Sequence, residues 1–373
     1  MRDDTLPNAP GPRREGRGGR LLALLFAALL GVTAFLGYNG DLARWSLRDD
    51  YLSYTLIAPP LPPLDTALVA GVVEPTLVNI NSTVRPFGLG AAGSGIVLTA
   101  QGQVLTSHHV IKGAESVTVS DIGTGQTYPA RVLGYDSGAD IALLELSGAD
   151  ALPAARLGTS SILRLGDEVL AIGNAGGTGS PTAVGGEITG LDNSIVARNS
   201  SDLSRKQLRG MIEVAAAVAA GQSGGALVNR YGAVVGVVTA ASGEVQKALG
   251  KGPNGYAVPI DTAMHIVEQI RSGTPTDTVH IGPTATLGVM TADSQRPAGA
   301  RIEVTVQGMP AQAAGLLEGE VITAVDGRVI DGVQALKAVL NTRKPDEVVR
   351  LDLTEPGGTQ RTVSVTLTVG PPN

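Results

Sequence analysis

The chain has 373 residues with 34 acidic side chains against 28 Lys and Arg, and its formal net charge of −6 shows no overall basic field and disfavours nucleic acid as a partner. Its length fits about two folded domains with additional segments, and its hydrophobic content of 43% is enough for each domain to bury a core. Cysteine is absent, which excludes disulfides, thiolate metal ligands and cysteine nucleophiles and leaves Ser, Thr, Lys or a carboxylate for covalent catalysis.

The N-terminal region consists of a basic tail followed by an apolar run. Residues 1–20 include five arginines, whereas residues 21–38 (LLALLFAALLGVTAFLGY) carry no charge. This run is just long enough for a helix to span a hydrocarbon core of about 30 Å. The excess of arginine before it predicts a single-pass anchor in the cell membrane, with a cytoplasmic N-terminus and the remaining chain outside. A cleaved signal peptide is the alternative, and both interpretations export the body of the protein.

The next segments are a linker and a long β-rich region. Residues 39–65 end in IAPPLPPLD, a Pro-rich stretch that favours a semi-rigid extended spacer. From 66 to about 258, short β-rich runs alternate with Gly, Asn and Asp turns, which favours antiparallel barrels or a sandwich over a parallel sheet. Residues 260–271 space their apolar side chains at helical intervals, so we predict that one helix closes this domain, which covers 66–272.

The remaining residues predict a second, smaller domain. The stretch SGTPTDT marks a boundary after the helix, and 279–371 mix four β-rich runs with short helical stretches at 310–315 and 333–341. This pattern predicts a small α+β module. The fold class expected for the whole chain is therefore mainly β.

One set of residues fits the chemistry of a serine hydrolase, which needs a base, a carboxylate that orients the base, and amides directed at the oxyanion. Ser223 lies in GQSGGAL, where glycines permit a tight turn that leaves the amides of Gly221 and Ser223 directed at one oxygen. His109 lies at a strand end in VLTSHHVI, and Asp140 begins another strand in YDSGADIALLEL. Each of these alone is weak evidence, since β-turns, packed histidines and capping aspartates are common.

The order of these segments is more specific than any one of them. They follow one another along the chain, with LGTSSILRLGDEVLAIGNAGG before the serine segment. In this order the sequence resembles the HtrA/Deg family of chymotrypsin-fold serine proteases, and the resemblance continues through NGYAVPID and GMPAQAAGLLEGEVITAVDGRVI, the latter similar to a PDZ domain. The resemblance implies two trypsin-like β-barrels with a triad of His109, Asp140 and Ser223 between them, followed by a PDZ domain.

The sequence departs from the family pattern just before the serine. The family usually has Asn where Gln222 stands, and an Asp-Ala-Ala-Ile-Asn-Pro run where this chain has only Ala and Val, at 215–220. The resemblance places Val218, Ala219 and Ala240 around the primary specificity pocket, and none of them is acidic. We therefore expect cleavage after small or medium aliphatic residues rather than after Lys or Arg.

The PDZ-like module is expected to bind peptide C-termini. In this fold a strand edge pairs with a guest peptide while a turn of backbone amides binds the terminal carboxylate. The resemblance places that turn at Thr286, Leu287, Gly288 and Val289, although these residues are also compatible with a plain first strand. The family further implies ATP-independent degradation of unfolded or misfolded proteins outside the cytoplasm, a role in stress response and quality control, and a homotrimer.

Other signals in the sequence give no second site. GNAGGTG at 173–179 lacks the Lys-Ser/Thr of a phosphate-binding loop, and the His108–His109 pair lacks a metal-binding motif, so we expect neither a cofactor nor a metal. The polar segment 193–210 is interpreted as a surface loop with a hypothetical activating role. An esterase is disfavoured because the residues after Ser223 read as β-hairpin rather than helix. A proteolytically inactive scaffold or chaperone that binds unfolded chains through the barrel and PDZ domains stays open as the alternative function.

Overall fold

The computed structural model describes residues 17–38, 62–84, 89–198, 205–241 and 254–373. The chain divides into two compact units, Met1–Pro63 and Leu64–Asn373. The first contains helix α1, Arg17–Tyr38, which includes the segment predicted to span the membrane. None of the helices in the described ranges combines the length and the apolar character that crossing a membrane requires. The predicted basic tail and linker lie largely outside the described residues.

The second unit begins with helix α2 and a closed barrel. Helix α2, Thr66–Val73, is capped by Asp65, whose carboxylate accepts the Leu68 amide at 3.0 Å, and a 3-10 turn follows at Glu74–Thr76. The barrel strands are β1 (Leu77–Val84), β2 (Leu89–Val97), β3 (Gln103–Thr106), β4 (Ser116–Asp121), β5 (Thr127–Asp136) and β6 (Ile141–Leu146). They pair in the order β5–β4–β1–β2–β3–β6, and β5 pairs with β6 to close the ring.

The segment with the two neighbouring histidines differs from its prediction. The sequence places His109 at a strand end, but β3 already ends at Thr106, and His108–Ile111 form a helical turn, α3. Between them, the hydroxyl of Ser107 donates to the carbonyl of Val238, 131 residues away, at 3.2 Å. Ser107 thus connects the end of β3 to the residue Val238 of a distant part of the chain, a contact that no local pattern encodes.

The second barrel is also closed. Its strands are β7 (Glu168–Gly173), β8 (Thr182–Arg198), β9 (Arg205–Val214), β10 (Ala226–Asn229), β11 (Val234–Ala241) and β12 (Gly255–Pro259), with a 3-10 turn at Ala175–Gly177. They pair in the order β10–β11–β12–β9–β8–β7. Helix α4, Ile260–Arg271, follows as predicted, and its apolar stripe packs into a core that contains residues of both barrels.

The polar segment 193–210 is mostly strand, which corrects its interpretation as a surface loop. Strands β8 and β9 form a long hairpin in which Ile195 lies opposite Leu208 and Arg198 lies opposite Arg205. Cross-strand pairing stabilises a polar sequence as a strand when one face of the hairpin packs on a hydrophobic core. Here the buried Leu208 provides that contact, because it belongs to the barrel core. Residues 199–204, six of the eighteen in this segment, lie outside the described residues, and the activating role of the segment stays a prediction.

The C-terminal module is an α+β fold with its own core. Its strands are β13 (Val279–Ile281), β14 (Thr284–Thr286), β15 (Val289–Gln295), β16 (Ala298–Thr305), β17 (Val321–Val325), β18 (Arg328–Val329), β19 (Val348–Thr354), β20 (Gln360–Thr366) and β21 (Thr368–Gly370), and its helices are α5 (Pro310–Ala313) and α6 (Val333–Asn341). The main sheet has the order β15–β16–β17–β19–β20, so β15 lies at its edge. Strand β13 instead pairs with β5 of the first barrel, with His280 opposite Tyr135.

Candidate active site

The three predicted catalytic residues come from separate loops of the two barrels. His109 is in α3, Asp140 is in the turn between β5 and β6, and Ser223 is in the turn that precedes β10. Asp140 has a φ of 63°, a left-handed conformation that Asp tolerates better than most residues because its short polar side chain can bond locally. The first barrel thus supplies the histidine and the carboxylate, and the second barrel supplies the serine.

His109 and Asp140 form a buried hydrogen-bonded pair. Nδ1 of His109 lies 2.7 Å from Oδ2 of Asp140, and the backbone N–H of His109 donates to Oδ1 at 3.1 Å. The hydroxyl of Thr239, on β11, also donates to Oδ2. Asp140 is only 2% exposed, so these donors replace the water that an ionised carboxylate requires.

The pairing decides the charge state of both groups. Burial alone would raise the pKa of Asp140, but the charge of His109 and its hydrogen bond hold the pKa of this carboxyl well below its usual range. Burial alone would lower the pKa of His109, and the Asp140 carboxylate instead raises it above 6.5. Since ionised Asp140 only accepts, Nδ1 of His109 must carry the proton in the neutral ring. Its Nε2 is then left as the basic nitrogen.

His108 lies next to this pair in a different environment. Its ring is buried and packs on the ring of Tyr135, with centroids 4.7 Å apart. Burial lowers the pKa of His108 to about 3, and its Nε2 atom has no hydrogen-bond partner within the described ranges. His108 is therefore a neutral packing residue. In the described part of the chain, no group of three or more His, Asp or Glu side chains is arranged to hold a metal ion.

The structure places the Ser223 hydroxyl beside Thr239 rather than on the histidine. Oγ of Ser223 donates to the carbonyl of Thr239 at 3.3 Å, a long bond. The same Thr239 contacts Asp140 through its hydroxyl, so one residue of β11 joins the serine to the carboxylate. Catalytic hydrogen bonds are often long or poorly aligned before substrate binds.

The turn around the serine leaves two amides available. The backbone N–H groups of Gly221 and Ser223 have no hydrogen-bond partner among the described residues. Gly221 has a φ of 93°, and a Cβ on it would lie 2.2 Å from the carbonyl oxygen of Asn174. Only glycine fits this position. Two unpaired amides beside a serine are the chemistry needed to bind an oxyanion.

Ser94, which sequence reasoning did not single out, holds this turn from the first barrel. Its hydroxyl, fully buried on β2, donates to the carbonyl of Gly221 at 2.8 Å and accepts the amide of Asn174 at 2.8 Å. Its backbone N–H donates to the carbonyl of Ser223 at 2.8 Å. The available signal was a serine between two glycines in the segment GSGIVLTA.

Gln222, where the sequence departs from the family pattern, is a second support of the turn. Its side chain is fully buried. Oε1 accepts the amide of Ala219 at 2.9 Å, while Nε2 donates to the carbonyl and the hydroxyl of Thr182 at 3.1 and 3.2 Å. Gln222 therefore ties the serine turn to β8 with all of its polar atoms bonded.

The residues predicted to line the specificity pocket lie on two segments. Val218 is half-buried. If Gly255, at the start of β12, carried a Cβ, that atom would lie 2.3 Å from Cγ2 of Val218. Ala219 is exposed beside the serine turn, and Ala240 lies on β11 opposite Tyr256. Val218 thus packs closely against the backbone of β12 at Gly255.

The four residues predicted to bind a peptide carboxylate form a turn between strands, not one continuous strand. Thr286 ends β14, Val289 begins β15, and Gly288 between them has a φ of 74°. The hydroxyl of Thr286 accepts the Gly288 amide at 3.1 Å, and the carbonyl of Leu287 accepts the amide of Ala311 at 2.8 Å. The turn lies at the start of the edge strand β15.

Comparison with known proteins identifies two domains in the chain. A trypsin-like peptidase domain matches residues 93–237 and a PDZ domain matches residues 278–354. The chain is 34% identical to serine protease PepD of Mycobacterium tuberculosis over 322 residues, 82% of this chain and 67% of that protein. It is 30% identical to periplasmic serine endoprotease DegP of Escherichia coli over 274 residues, 72% of this chain but 55% of that protein. The HtrA-type protease AlgW with a decapeptide aligns over 83% of this chain and 99% of that chain, with 24% identity and a TM-score of 0.46.

Proposed function

This chain belongs to the HtrA/DegP family of trypsin-like serine proteases, and we propose that it is an ATP-independent endopeptidase that degrades misfolded or regulatory proteins through Ser223, His109 and Asp140. The observation that carries the proposal is the His109–Asp140 bond of 2.7 Å beside a serine turn with two unpaired amides. The chain spans about half the length of relatives such as DegP, so its substrates and its activity as a whole protein are part of the proposal.

The mechanism follows from the protonation states at the site. Nε2 of neutral His109 accepts the proton of Ser223 as Oγ attacks the peptide carbonyl, and Asp140 stabilises the imidazolium that forms. The amides of Gly221 and Ser223 hold the oxyanion of the tetrahedral intermediate. His109 then gives its proton to the leaving amine, and a water molecule repeats the sequence on the acyl-enzyme.

The primary specificity pocket is proposed to accept small or medium aliphatic side chains. The support is the close packing of Val218 on Gly255, together with the absence of an acidic residue among the three predicted lining positions. A matched peptide series with Ala, Val, Lys and Arg before the cleaved bond tests this. We expect the Val and Ala peptides to have the highest kcat/KM, and faster cleavage after Arg or Lys would overturn the assignment.

Replacing the serine separates the protease from its alternative, an inactive scaffold or chaperone. We expect Ser223→Ala to abolish casein degradation and fluorophosphonate labelling while binding of unfolded casein is retained. Ser147→Ala, at an exposed position, is the matched control and should keep both activities. Wild-type protein that binds casein but neither cleaves it nor reacts with the fluorophosphonate would favour the scaffold.

The PDZ domain is proposed to bind peptide C-termini. The support is the turn from Thr286 to Val289 at the start of β15, a strand whose outer edge has no partner strand among the described residues. A guest strand added to this edge would place its carboxylate at the turn. Fluorescence anisotropy with a peptide and its C-terminal amide tests the proposal, since loss of the carboxylate should weaken binding at least tenfold. Equal affinities would exclude carboxylate recognition.

Location outside the cytoplasm is a further proposal. Its support is the arginine excess before the apolar segment 21–38, the asymmetry that orients exported chains. We expect protease added to intact spheroplasts to digest the catalytic domain. Fractionation then distinguishes an anchored chain from one released by cleavage near residue 38, and a protected, cytosolic domain would refute the proposal.

Homotrimer formation is proposed from family membership and from an exposed apolar face. Leu68 and Val72 lie one turn apart on α2 with exposed side chains. The turn that carries the exposed Tyr231 is close to them, since a Cβ added to its neighbour Gly232 would be 3.9 Å from Val72. Exposed apolar patches of this kind mark association surfaces. Light scattering should give three times the monomer mass, and Val72→Asp should reduce it. A monomeric wild type would refute the proposal.

A further inference from the structure

A lysine that the mechanism does not use lies beside the proposed catalytic carboxylate. Lys206 is the second residue of β9, and its Nζ atom is 3.8 Å from Oδ1 of Asp140. Nζ is buried and has no hydrogen-bond partner within the described residues. Burying an ammonium group without hydrogen bonds is unfavourable, so its place beside Asp140 is not explained by stability alone.

The contacts of Asp140 show what this lysine can contribute. Oδ2 already accepts from Nδ1 of His109 and from the hydroxyl of Thr239, and Oδ1 accepts the backbone N–H of His109 at 3.1 Å. At 3.8 Å the ammonium of Lys206 is too far for a hydrogen bond but close enough for a strong Coulomb interaction. Its contribution is therefore charge rather than geometry.

We propose that Lys206 is a positioning residue for the triad. Its positive charge keeps Asp140 ionised and opposes protonation of His109, so the imidazole remains neutral, and able to accept a proton, at a lower pH than it would without the lysine. The inference rests on the proposed triad. It deepens that proposal by assigning the acid limit of activity to a residue outside the three.

Other charged groups near Lys206 bear on this effect. The titratable side chains around Lys206 and the His109–Asp140 pair come from two elements. His108 lies in α3 and Lys112 directly follows it, while Asp136 ends β5. Burial lowers the pKa of Lys206, while Asp140 and Asp136 act in the opposite direction. His108 carries no charge near neutral pH because its pKa is about 3. The positive charge of protonated Lys206 lowers the pKa of His109, against the effect of the Asp140 carboxylate.

The test is the pH dependence of kcat/KM for three lysine variants. Lys206→Met removes the charge, Lys206→Arg keeps it, and Lys344→Met removes an exposed charge from the PDZ domain as the matched control. Loss of the charge should move the acid limb of the Met variant to higher pH by about half to one unit. Near pH 6, its kcat/KM relative to its own plateau should then be about three- to tenfold lower than that of the wild type. The Arg and control variants should follow the wild type. If the role of Lys206 were purely structural, kcat/KM would fall by the same factor at every pH and the acid limb would not move.

The outcomes separate this inference from the proposed function. If Ser223→Ala hydrolyses substrate like the wild type, the triad itself fails. If hydrolysis depends on Ser223 but the limb of folded Lys206→Met stays in place or moves down, only the role of Lys206 fails. Lys206→Gln serves as a second neutral variant. Failure of both neutral variants to fold, while Lys206→Arg folds, would assign the charge to stability and overturn the proposal.

Discussion

Replacing Ser94 with alanine tests whether the first barrel holds the serine turn of the second. The hydroxyl of Ser94 makes two bonds of 2.8 Å, one to the carbonyl of Gly221 and one from the amide of Asn174. Both partners are backbone groups, and Ser94 itself is fully buried. The substitution removes one oxygen atom and leaves the rest of the strand unchanged, so both backbone groups lose this partner at once.

The size of the effect follows from those two groups. Each buried polar group left without a partner costs roughly 1–3 kcal/mol, and the space of one oxygen atom is too small to admit a replacement water easily. We therefore expect the free energy of unfolding to fall by about 2–4 kcal/mol, which corresponds to a Tm lower by roughly 5–10 °C. A displaced Gly221 amide should in addition reduce kcat by about 10²-fold, with a smaller effect on KM.

Thermal unfolding by circular dichroism and hydrolysis of one aliphatic peptide measure both effects. Ser147→Ala makes the same chemical change at an exposed site and should shift stability by less than about 0.5 kcal/mol. If Ser94→Ala matches this control in Tm and kcat, the two bonds do not support the turn and the argument is wrong. Loss of Tm with an unchanged kcat would restrict Ser94 to folding.

Three further predictions follow from the site. Hydrolysis should rise with pH, with a midpoint above 6.5, because Asp140 raises the pKa of His109 and only the neutral ring can accept a proton; a flat profile of kcat/KM from pH 6 to 8 would contradict this base. Gly224→Ala should yield little folded protein, since Gly224 has a φ of 83° and a Cβ would lie 2.1 Å from the carbonyl oxygen of Ser94; soluble protein with a wild-type far-UV spectrum would refute it. Gln222→Ala should lower the free energy of unfolding by roughly 1–3 kcal/mol in a denaturant titration because the fully buried Gln222 side chain and its hydrogen bonds to Ala219 and Thr182 are lost, and an unchanged midpoint would show that this side chain contributes nothing.

The sequence predicted those features whose causes lie close together in the chain. Alternating strands and glycine turns predicted the antiparallel domain, and the helical spacing of 260–271 predicted α4. The order of the histidine, aspartate and serine segments resembled a trypsin-like serine protease, and the later segment GMPAQAAGLLEGEVITAVDGRVI resembled a PDZ domain; the family matches confirm both domains. The site residues themselves stay predictions until the variants are measured.

The supporting residues could not be predicted because their partners are far away in sequence. The hydroxyl of Ser94 bonds to Gly221, 127 residues later, and that of Thr239 bonds to Asp140, 99 residues earlier. Lys206 reads as one polar residue in a polar segment until the β8–β9 hairpin brings it to Asp140. Each of these contacts depends on the closure of both barrels.

The pairing of β13 with β5 affects how the molecule can be dissected. A recombinant catalytic fragment that ends at residue 272, the domain limit predicted from the sequence, would lack Val279, His280 and Ile281. These residues form β13, so β5 of the first barrel would lose a strand that pairs with it. The uncovered edge would offer bare N–H and C=O groups to other molecules, a known cause of aggregation. Poor solubility of such a fragment would thus reflect a missing strand rather than an unstable enzyme, and extending it through residue 282 is the remedy.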